Sequence, residues 1–284
     1  MIKNQLKTTF LLGMLAALFM GIGFIIGSRV GLIIGFTIAM LINFGSYWFS
    51  DKIVLKMYKA QPAPKDHKLY IIVKELSRRA KIPMPKVYII QAPSPNAFAT
   101  GRNPKNSAVA ATQSLMDMLS DEEVEGVMAH ELSHIKHKDT LIQTIAVGIA
   151  SAISMVASML QWALIFGMGG DEDNGVGGLV GSLIIIILTP IIATLIQLAI
   201  SRSREFMADE GAVKMIKTPM PLIHALQKLE QAALKPHRIN NTQSPTASLF
   251  IVNPFRGSAI ANLFSTHPST QKRVERMKKI KINR

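Results

Sequence analysis

Four long apolar blocks alternate with polar segments along this sequence. None of the blocks has Asp, Glu, Lys or Arg in its interior, and each reaches the roughly 17 apolar residues that the shortest membrane-spanning helix needs. A turn at Ser28 and Arg29 separates the first two blocks, and the acidic loop 171–174 separates the last two. The pattern predicts two transmembrane helical hairpins, within residues 8–50 and 141–200, from blocks that cover residues 10–26, 30–49, 141–168 and 176–200.

Two other interpretations of the apolar blocks, a cleaved signal peptide and the core helices of a soluble domain, are weaker. Lys3 and Lys7 precede the first block as they would in a cleaved signal peptide, but the block lacks an A-x-A cleavage site and continues into a second span. The third and fourth blocks could be buried core helices, although apolar runs of more than twenty residues are rare in soluble domains. We therefore interpret all four blocks as membrane spans.

Basic residues beside the blocks indicate the orientation of the hairpins, because positive charge marks the cytoplasmic side of a membrane. Only Arg29 disagrees with a topology in which both hairpins begin and end in the cytoplasm. The formal net charge of +14 is explained by this topology and by attraction to anionic lipid, with no need of a nucleic-acid partner. The cytoplasmic basic residues are Lys3, Lys7, Lys52, Lys56, Lys59, Lys136, Lys138, Arg202 and Arg204.

The polar segments, residues 51–140 and 201–284, are expected to form one domain that the second hairpin interrupts. Apolar positions at helical spacing predict an amphipathic helix in "HKLYIIVKELSRRA", and short runs between turn signals predict three strands of a small sheet, "KVYII", "NAFATG" and "SAVAATQSL". Ser120 and Glu123 form a capping box that opens a helix continuing through Thr140. Further helices are predicted near residues 203–216, 221–234 and 269–279, with a long loop at about 235–262.

The predicted capped helix carries "HELSH", residues 130–134. Positions four apart lie on one face of a helix, so His130 and His134 can direct imidazole nitrogens to one point. A hydrolytic zinc ion takes three protein ligands and keeps a position for water, and Glu131 stands beside the first histidine, where it can accept the proton of that water. Two solvent-facing histidines are the alternative. The charged residues on both sides of the motif favour a site in water, close to the bilayer.

The third ligand is not fixed by spacing alone. His137 lies a full turn beyond the pair and is interpreted as a solvated residue, whereas "SRSREFMADEGA" after the fourth block offers Glu205, Asp209 and Glu210. These acids could instead pair with Arg202 and Arg204 on a surface helix. The absence of cysteine excludes a thiolate site or a cysteine nucleophile and fits a reducing compartment.

"HELSH", followed by two apolar blocks and then "SRSREFMAD", resembles the HtpX branch of membrane zinc metalloproteases, relatives of the CAAX prenyl endopeptidases. The resemblance extends over the whole chain and includes "PNAFATG" and the late "THPST". It implies one Zn²⁺ held by His130, His134 and Glu205, with Glu131 as the acid/base and Asp209 as a carboxylate that orients a ligand. The implied fold is a mainly α membrane protein with four transmembrane helices and an α+β, gluzincin-like zinc peptidase domain with a small sheet.

Two further site predictions accompany this resemblance. His267 matches the family's late histidine and could donate to the oxyanion formed at the substrate carbonyl, although a histidine that caps the following helix is an equal alternative. "NAFATG" could be an edge strand to which an extended peptide adds, with Asn96 and Ala97 near the scissile bond, or it could be an ordinary core strand.

The sequence thus predicts an integral membrane zinc endopeptidase of the bacterial plasma membrane, with its active site on the cytoplasmic side. The resemblance implies membrane-protein or misfolded polypeptide substrates, a role in quality control, and self-cleavage. A CAAX-type prenyl peptidase is an alternative, but four spans are few for its intramembrane chamber. A non-catalytic scaffold or transporter with a structural metal is another, and it would need no general base at Glu131.

Overall fold

The structure, a computed structural model, describes residues 2–141, 202–234 and 268–282. Several predictions lie outside these residues: the third and fourth apolar blocks beyond Leu141, the loop at about 235–262, and His267. The described part of the chain contains seven helices and a four-stranded sheet. Numbered along this part, they are α1 (Ile2–Met57), β1 (Gln61–Pro62), α2 (Lys68–Ala80), β2 (Lys86–Ile90), β3 (Ala97–Asn103), β4 (Asn106–Thr112), α3 (Gln113–Met118), α4 (Asp121–His137), α5 (Arg202–Ile216), α6 (Met220–Leu234) and α7 (Thr270–Met277).

Helix α1 reverses direction at Ser28, whose φ is 50°. In an unbroken helix Leu12 and Asn43 would be about 46 Å apart at 1.5 Å per residue. Instead the Asn43 side-chain amide donates to the Leu12 carbonyl at 3.1 Å. The arms approach backbone to backbone at glycines, because a Cβ added to Gly23 or Gly31 would meet the backbone of the other. The predicted turn between the first two apolar blocks is therefore present.

One described segment, the 22-residue Ser28–Phe49, is long and apolar enough to cross a membrane, and its most apolar stretch of 18 residues has a mean hydropathy of 1.8. Only 18% of this most apolar stretch is buried inside the structure. Large apolar side chains such as Val30 and Leu41 are each 68% exposed. A helix with so much apolar surface in water would be unfavourable, which is consistent with a lipid environment.

The sheet is mixed, with the strand order β1-β2-β4-β3. β2 and β4 are parallel, whereas β3 and β4 form an antiparallel hairpin with Ala97 opposite Ala111. Gly101 has a φ of 127°, which favours glycine, and it lies where the register of the hairpin shifts. Three predicted strands are present, although the last ends at Thr112, where "QSL" begins α3 instead.

The two faces of the sheet pack against different parts of the chain, as the alternation of side chains along a strand requires. Ala97, Ala99, Val109 and Ala111 face the main core with helices α2, α4, α5 and α6. The opposite face contributes Phe98, Ala108 and Ala110 to a smaller core with Val54 and Leu55 at the end of α1. The small alanines allow close packing, so the sheet connects the apolar hairpin to the helical layer.

Helix α4 lies at the centre of the helical layer and contacts α2, α5, α6 and β3. Its predicted capping box is present: the Glu123 backbone N–H donates to Ser120 Oγ, and the Ser120 N–H donates to the Glu123 carboxylate. The prediction that the helix continues through Thr140 is wrong. α4 ends at His137 because Lys138 adopts a left-handed conformation, with φ 59° and ψ 37°, and redirects the chain.

Candidate metal centre

Helix α4 buries three polar side chains of types that a hydrophobic core normally excludes. His130, Glu131 and His134 are 2%, 6% and 4% exposed. Burying them requires close packing of α4 against its neighbours. At Gly126 the helix approaches α6 so closely that an added Cβ would lie 2.7 Å from the Leu222 backbone nitrogen. Buried polar groups without partners are costly, so each of these side chains needs a specific partner.

Glu205 on α5 completes a cluster with the two histidines. The two Nε2 atoms of His130 and His134 are 3.2 Å apart. The Glu205 carboxylate lies 3.6 Å from His130 Nε2 and 3.5 Å from His134 Nε2. Two ligands about 2.0–2.1 Å from a tetrahedral zinc ion are about 3.3–3.4 Å apart, so these spacings fit one zinc ion. His130, His134 and Glu205 could therefore hold a metal.

The buried charges around this cluster also fit a divalent cation. Among the described residues, four carboxylates and two guanidinium groups lie buried around the cluster, which leaves two negative charges when these six groups are ionised and both histidines are neutral, as metal ligands must be. Buried charge without compensation is strongly unfavourable, and one Zn²⁺ would neutralise it. The carboxylates belong to Glu131, Asp139, Glu205 and Asp209, and the guanidinium groups to Arg204 and Arg273.

Asp209 lies one turn beyond Glu205 on α5, on the outer side of His130. Its Oδ1 is 3.0 Å from His130 Nδ1. Arg273 of α7 donates from Nε and Nη2 to the Asp209 carboxylate at 2.9 and 2.6 Å. Burial alone would raise the pKa of Asp209, but Arg273 and His130 hold that pKa at about 2. Asp209 is thus ionised and in hydrogen-bonding distance of the His130 ring.

The protonation of His130 responds to the same carboxylates. Burial alone would lower its pKa, but hydrogen bonds to Asp209 and Glu205 raise the pKa to about 9. A metal ion binds only the neutral imidazole, so it must displace this proton.

Glu131 lies between the helix and the sheet. The Ala99 backbone N–H of β3 donates toward its carboxylate, and burial raises the pKa of Glu131 above the usual value for glutamate. A carboxylate with a raised pKa is a better proton acceptor at neutral pH, so its environment suits acid/base chemistry.

Packing distinguishes between the three acids that spacing left open. Glu205 faces both Nε2 atoms, Asp209 faces His130 Nδ1, and Glu210 is partly exposed and pairs with Lys214 at 2.6 Å. Arg204 is buried and makes no salt bridge to these acids among the described residues, contrary to the surface-pairing alternative.

The other predicted site residues lie nearby or outside the described part. Asn96 and Ala97 are buried at the start of β3, whereas His267 lies outside the described residues. His137 is partly buried, and burial lowers its pKa, so it is less solvated than expected.

Two residues of the site were missed from the sequence. Arg273 is far from the motif in sequence, and no spacing rule links it to Asp209. Asp139 was assigned to a continuing helix, but the turn at Lys138 brings its Oδ2 to 3.4 Å from His134 Nδ1. The sequence signal for this turn is weak, because lysine occupies the left-handed position where glycine is usual.

Two histidines and a glutamate from neighbouring helices, with a second glutamate beside the first histidine, define a metallopeptidase site. Residues 63–281 match peptidase family M48. The chain is 52% identical to the protease HtpX homolog of Persephonella marina over 96% of both chains, and 48% identical to protease HtpX of Legionella pneumophila over 97% of this chain and 98% of that protein.

The fold also resembles the crystal structure of S. mikatae Ste24p. The TM-score is 0.53 at 18% sequence identity, and the match covers 97% of this chain and 66% of that chain. The chain belongs to peptidase family M48. It is a membrane zinc endopeptidase, and the predicted family is confirmed.

Proposed function

We propose that the enzyme hydrolyses peptide bonds in polypeptide segments at the cytoplasmic face of the plasma membrane, with one zinc ion held by His130, His134 and Glu205. The observation that carries this proposal is the spacing of the three buried donors, which fits a single tetrahedral ion. Membrane proteins with polar segments at that face and misfolded polypeptides are the proposed substrates, consistent with a role in quality control.

Glu131 is the proposed acid/base. Zinc, when bound, supplies a Lewis acid for the peptide carbonyl and lowers the pKa of water. Glu131 takes the proton from the attacking water and passes it to the leaving amine. Its position is supported by the Ala99 N–H, which holds the carboxylate toward the sheet, and by burial, which raises its pKa.

The substrate is proposed to extend along the start of β3. Asn96 pairs with Thr112 of β4, since the Thr112 N–H donates to the Asn96 carbonyl at 2.8 Å. Hydrogen bonding alternates along an antiparallel pair, so the backbone groups of Ala97, Ala99 and Gly101 point away from β4. The Ala99 N–H is directed to Glu131, and the Gly101 carbonyl accepts from Thr140. Ala97 therefore directs its backbone groups to the outer edge of β3, where an extended peptide is proposed to add, and Asn96 lies directly before it.

His267 is the proposed donor to the oxyanion. It precedes α7 by three residues, and α7 carries Arg273 into contact with Asp209 beside the metal ligands. His267 is only six residues before Arg273 in the sequence, which supports a place beside the metal ligands. An imidazole N–H is a suitable donor to an oxyanion. Asp209 is proposed to orient His130, as a carboxylate outside a metal site does.

The four-span topology is proposed with both hairpins open to the cytoplasm. The basic flanks support it, as do the exposed apolar side chains of the second arm of α1. At the end of this arm Trp48 stacks with Arg102 of β3, whose guanidinium carbon is 4.3 Å from the ring centroid. An aromatic and basic pair at the end of an apolar helix is typical of a membrane interface.

The chain has no cysteine, so single cysteines report this topology directly. Cysteines at Arg29 and Asn174 should react with an impermeant thiol reagent from outside intact cells. A cysteine at the exposed Asp66 should react only after the membrane is opened. The reverse pattern would overturn the cytoplasmic assignment.

Glu131→Gln tests the catalytic proposal. The variant should retain zinc and lose hydrolysis of an unfolded protein such as casein by at least about 100-fold, the usual effect of a general base. Glu122→Gln on the exposed side of the same helix is the matched control and should retain full activity. A Glu131→Gln enzyme with wild-type activity would exclude this mechanism and favour a structural role for the metal.

A further inference from the structure

The end of helix α4 returns the chain toward the metal ligands. The Lys138 N–H donates to the Ile135 carbonyl at 3.1 Å, and the Asp139 N–H donates to the His134 carbonyl at 3.0 Å. This turn places the Asp139 carboxylate 3.4 Å from His134 Nδ1. Both side chains are buried, at 2% and 4% exposure. A backbone turn therefore positions a carboxylate beside the second histidine.

The two histidines have similar surroundings. Each directs Nε2 toward the shared cluster with Glu205, and each directs Nδ1 toward an aspartate. His130 meets Asp209 of another helix, whereas His134 meets Asp139 of its own helix end. We propose that Asp139 is the positioning residue of His134, and that it sets zinc affinity as Asp209 does for His130.

The chemistry of imidazole explains why such a carboxylate matters. A histidine that ligates through Nε2 must carry its proton on Nδ1, and an acceptor at Nδ1 fixes both this tautomer and the ring orientation. A buried Nδ1–H without an acceptor would cost about 1–3 kcal/mol. Asp139 provides that acceptor.

Each of the two aspartates also has a buried arginine nearby. Arg273 pairs directly with Asp209. Arg204 interacts electrostatically with Asp139: burial lowers the pKa of Arg204, while the charges of Asp139 and Glu205 oppose that shift. The negative charge at Asp139 is therefore partly compensated, which keeps the carboxylate available as an acceptor inside the protein.

The same turn connects the metal centre to the sheet. The Thr140 hydroxyl donates to the Gly101 carbonyl of β3 at 2.9 Å. Asp139 and Thr140 thus hold His134 and the proposed substrate strand from adjacent positions, just before the third apolar block begins at Leu141. A loss of Asp139 is expected to act on the metal ligand, whereas a loss of the Thr140 hydroxyl is expected to act on the strand.

Zinc affinity of the full chain in detergent tests the proposal. Asp139→Leu removes the acceptor and should weaken zinc binding about 10- to 100-fold in a chelator competition, as expected for such outer partners. Asp139→Asn keeps an acceptor oxygen and should lose less. Asp66→Leu and Thr140→Val are the controls and should bind zinc as the wild type does, since neither removes the contact at His134 Nδ1. The unfolding midpoint of the metal-free protein is measured in parallel.

Zinc affinity is expected to be highest in the wild type, lower in Asp139→Asn and lowest in Asp139→Leu. The unfolding midpoints of the metal-free proteins should not follow this order. Zinc affinity of Asp139→Leu equal to that of the wild type overturns the proposal. So does an equal loss in both variants that matches a fall in the metal-free midpoint, because Asp139 would then be only a helix-end residue. If Asp139→Leu does not fold, the zinc affinity of Asp139→Asn is compared with that of Asp66→Asn. A lower affinity of Asp139→Asn supports the proposal, and equal affinities overturn it.

The inference rests on the proposed zinc ligands, which His134→Ala and Glu205→Ala test separately. If these variants keep wild-type zinc affinity, the metal site itself is wrong. If they lose zinc while Asp139→Leu keeps it, only the role of Asp139 is refuted.

Discussion

Replacing Arg273 by methionine is expected to destabilise the metal-free protein by about 3–5 kcal/mol, the usual cost of breaking a buried ion pair by removing one partner. Arg273 is 1% exposed and Asp209 is 2% exposed. The guanidinium makes hydrogen bonds of 2.6 and 2.9 Å to the carboxylate. Methionine fills much of the same volume but leaves Asp209 as a buried charge without this partner, so the loss is mainly electrostatic.

The size of this effect should depend on pH. The pKa of Asp209 is held at about 2 in the folded protein, so the pair contributes stability above the unfolded pKa of about 4. That contribution is lost as pH falls through about 4 to 2. The difference in stability between the wild type and Arg273→Met should therefore be full at neutral pH and shrink in acid.

Urea unfolding of the metal-free full chain in detergent, followed by pulse proteolysis, measures the difference. Lys272→Met removes an exposed charge from the same helix and should change stability by no more than about 0.5 kcal/mol. The double variant Arg273→Met with Asp209→Asn should be less destabilised than the sum of the single variants. Arg273→Met within about 1 kcal/mol of the wild type, or strictly additive single variants, would refute the role of this buried pair.

Two further predictions follow from the packing and charge of the site. Gly126→Ala should destabilise the protein by about 1–3 kcal/mol, because the added Cβ would lie 2.7 Å from the Leu222 backbone nitrogen. The control is Gly45→Ala, whose Cβ would meet no described atom within 4 Å. Equal thermal unfolding midpoints for the two variants would contradict the close approach of α4 and α6. Zinc affinity should fall about tenfold per pH unit below pH 9, because the His130 pKa is raised to about 9 and zinc must displace that proton. Calorimetry at pH 7 in buffers of different ionisation enthalpy should detect the proton that His130 releases when zinc binds. If no proton is released, the raised pKa of His130 is contradicted.

Local patterns predicted most of the helices and strands correctly. Helix α2 follows the apolar spacing of Leu69, Val73 and Leu76, and the capping box of Ser120 and Glu123 gives the first turn of α4. These signals lie within one or two turns of chain, so no distant residue is needed to interpret them. The left-handed end of α4 was missed because a lysine, which pays a conformational penalty there, gives no sequence signal for such a turn.

The third donor shows where spacing stops being informative. Glu205, Asp209 and Glu210 lie close together on one helix, and the rotation of α5 against α4 determines which acid meets which nitrogen. In the structure Glu205 faces the Nε2 atoms, Asp209 faces Nδ1, and Glu210 faces Lys214. The resemblance to a known family pointed to the same assignment before the packing was known.

The sequence by itself determined the helix that carries His130, Glu131 and His134, the zinc-type donor chemistry and the apolar turn at Ser28, because periodicity, capping and residue type are local properties. Only the tertiary structure placed Arg273 and Asp139 in the same cluster. Arg273 reaches Asp209 from a separate helix, and Asp139 reaches His134 through a turn. Such contacts depend on how three segments pack around α4, and the packing of distant segments has no fixed spacing in the chain.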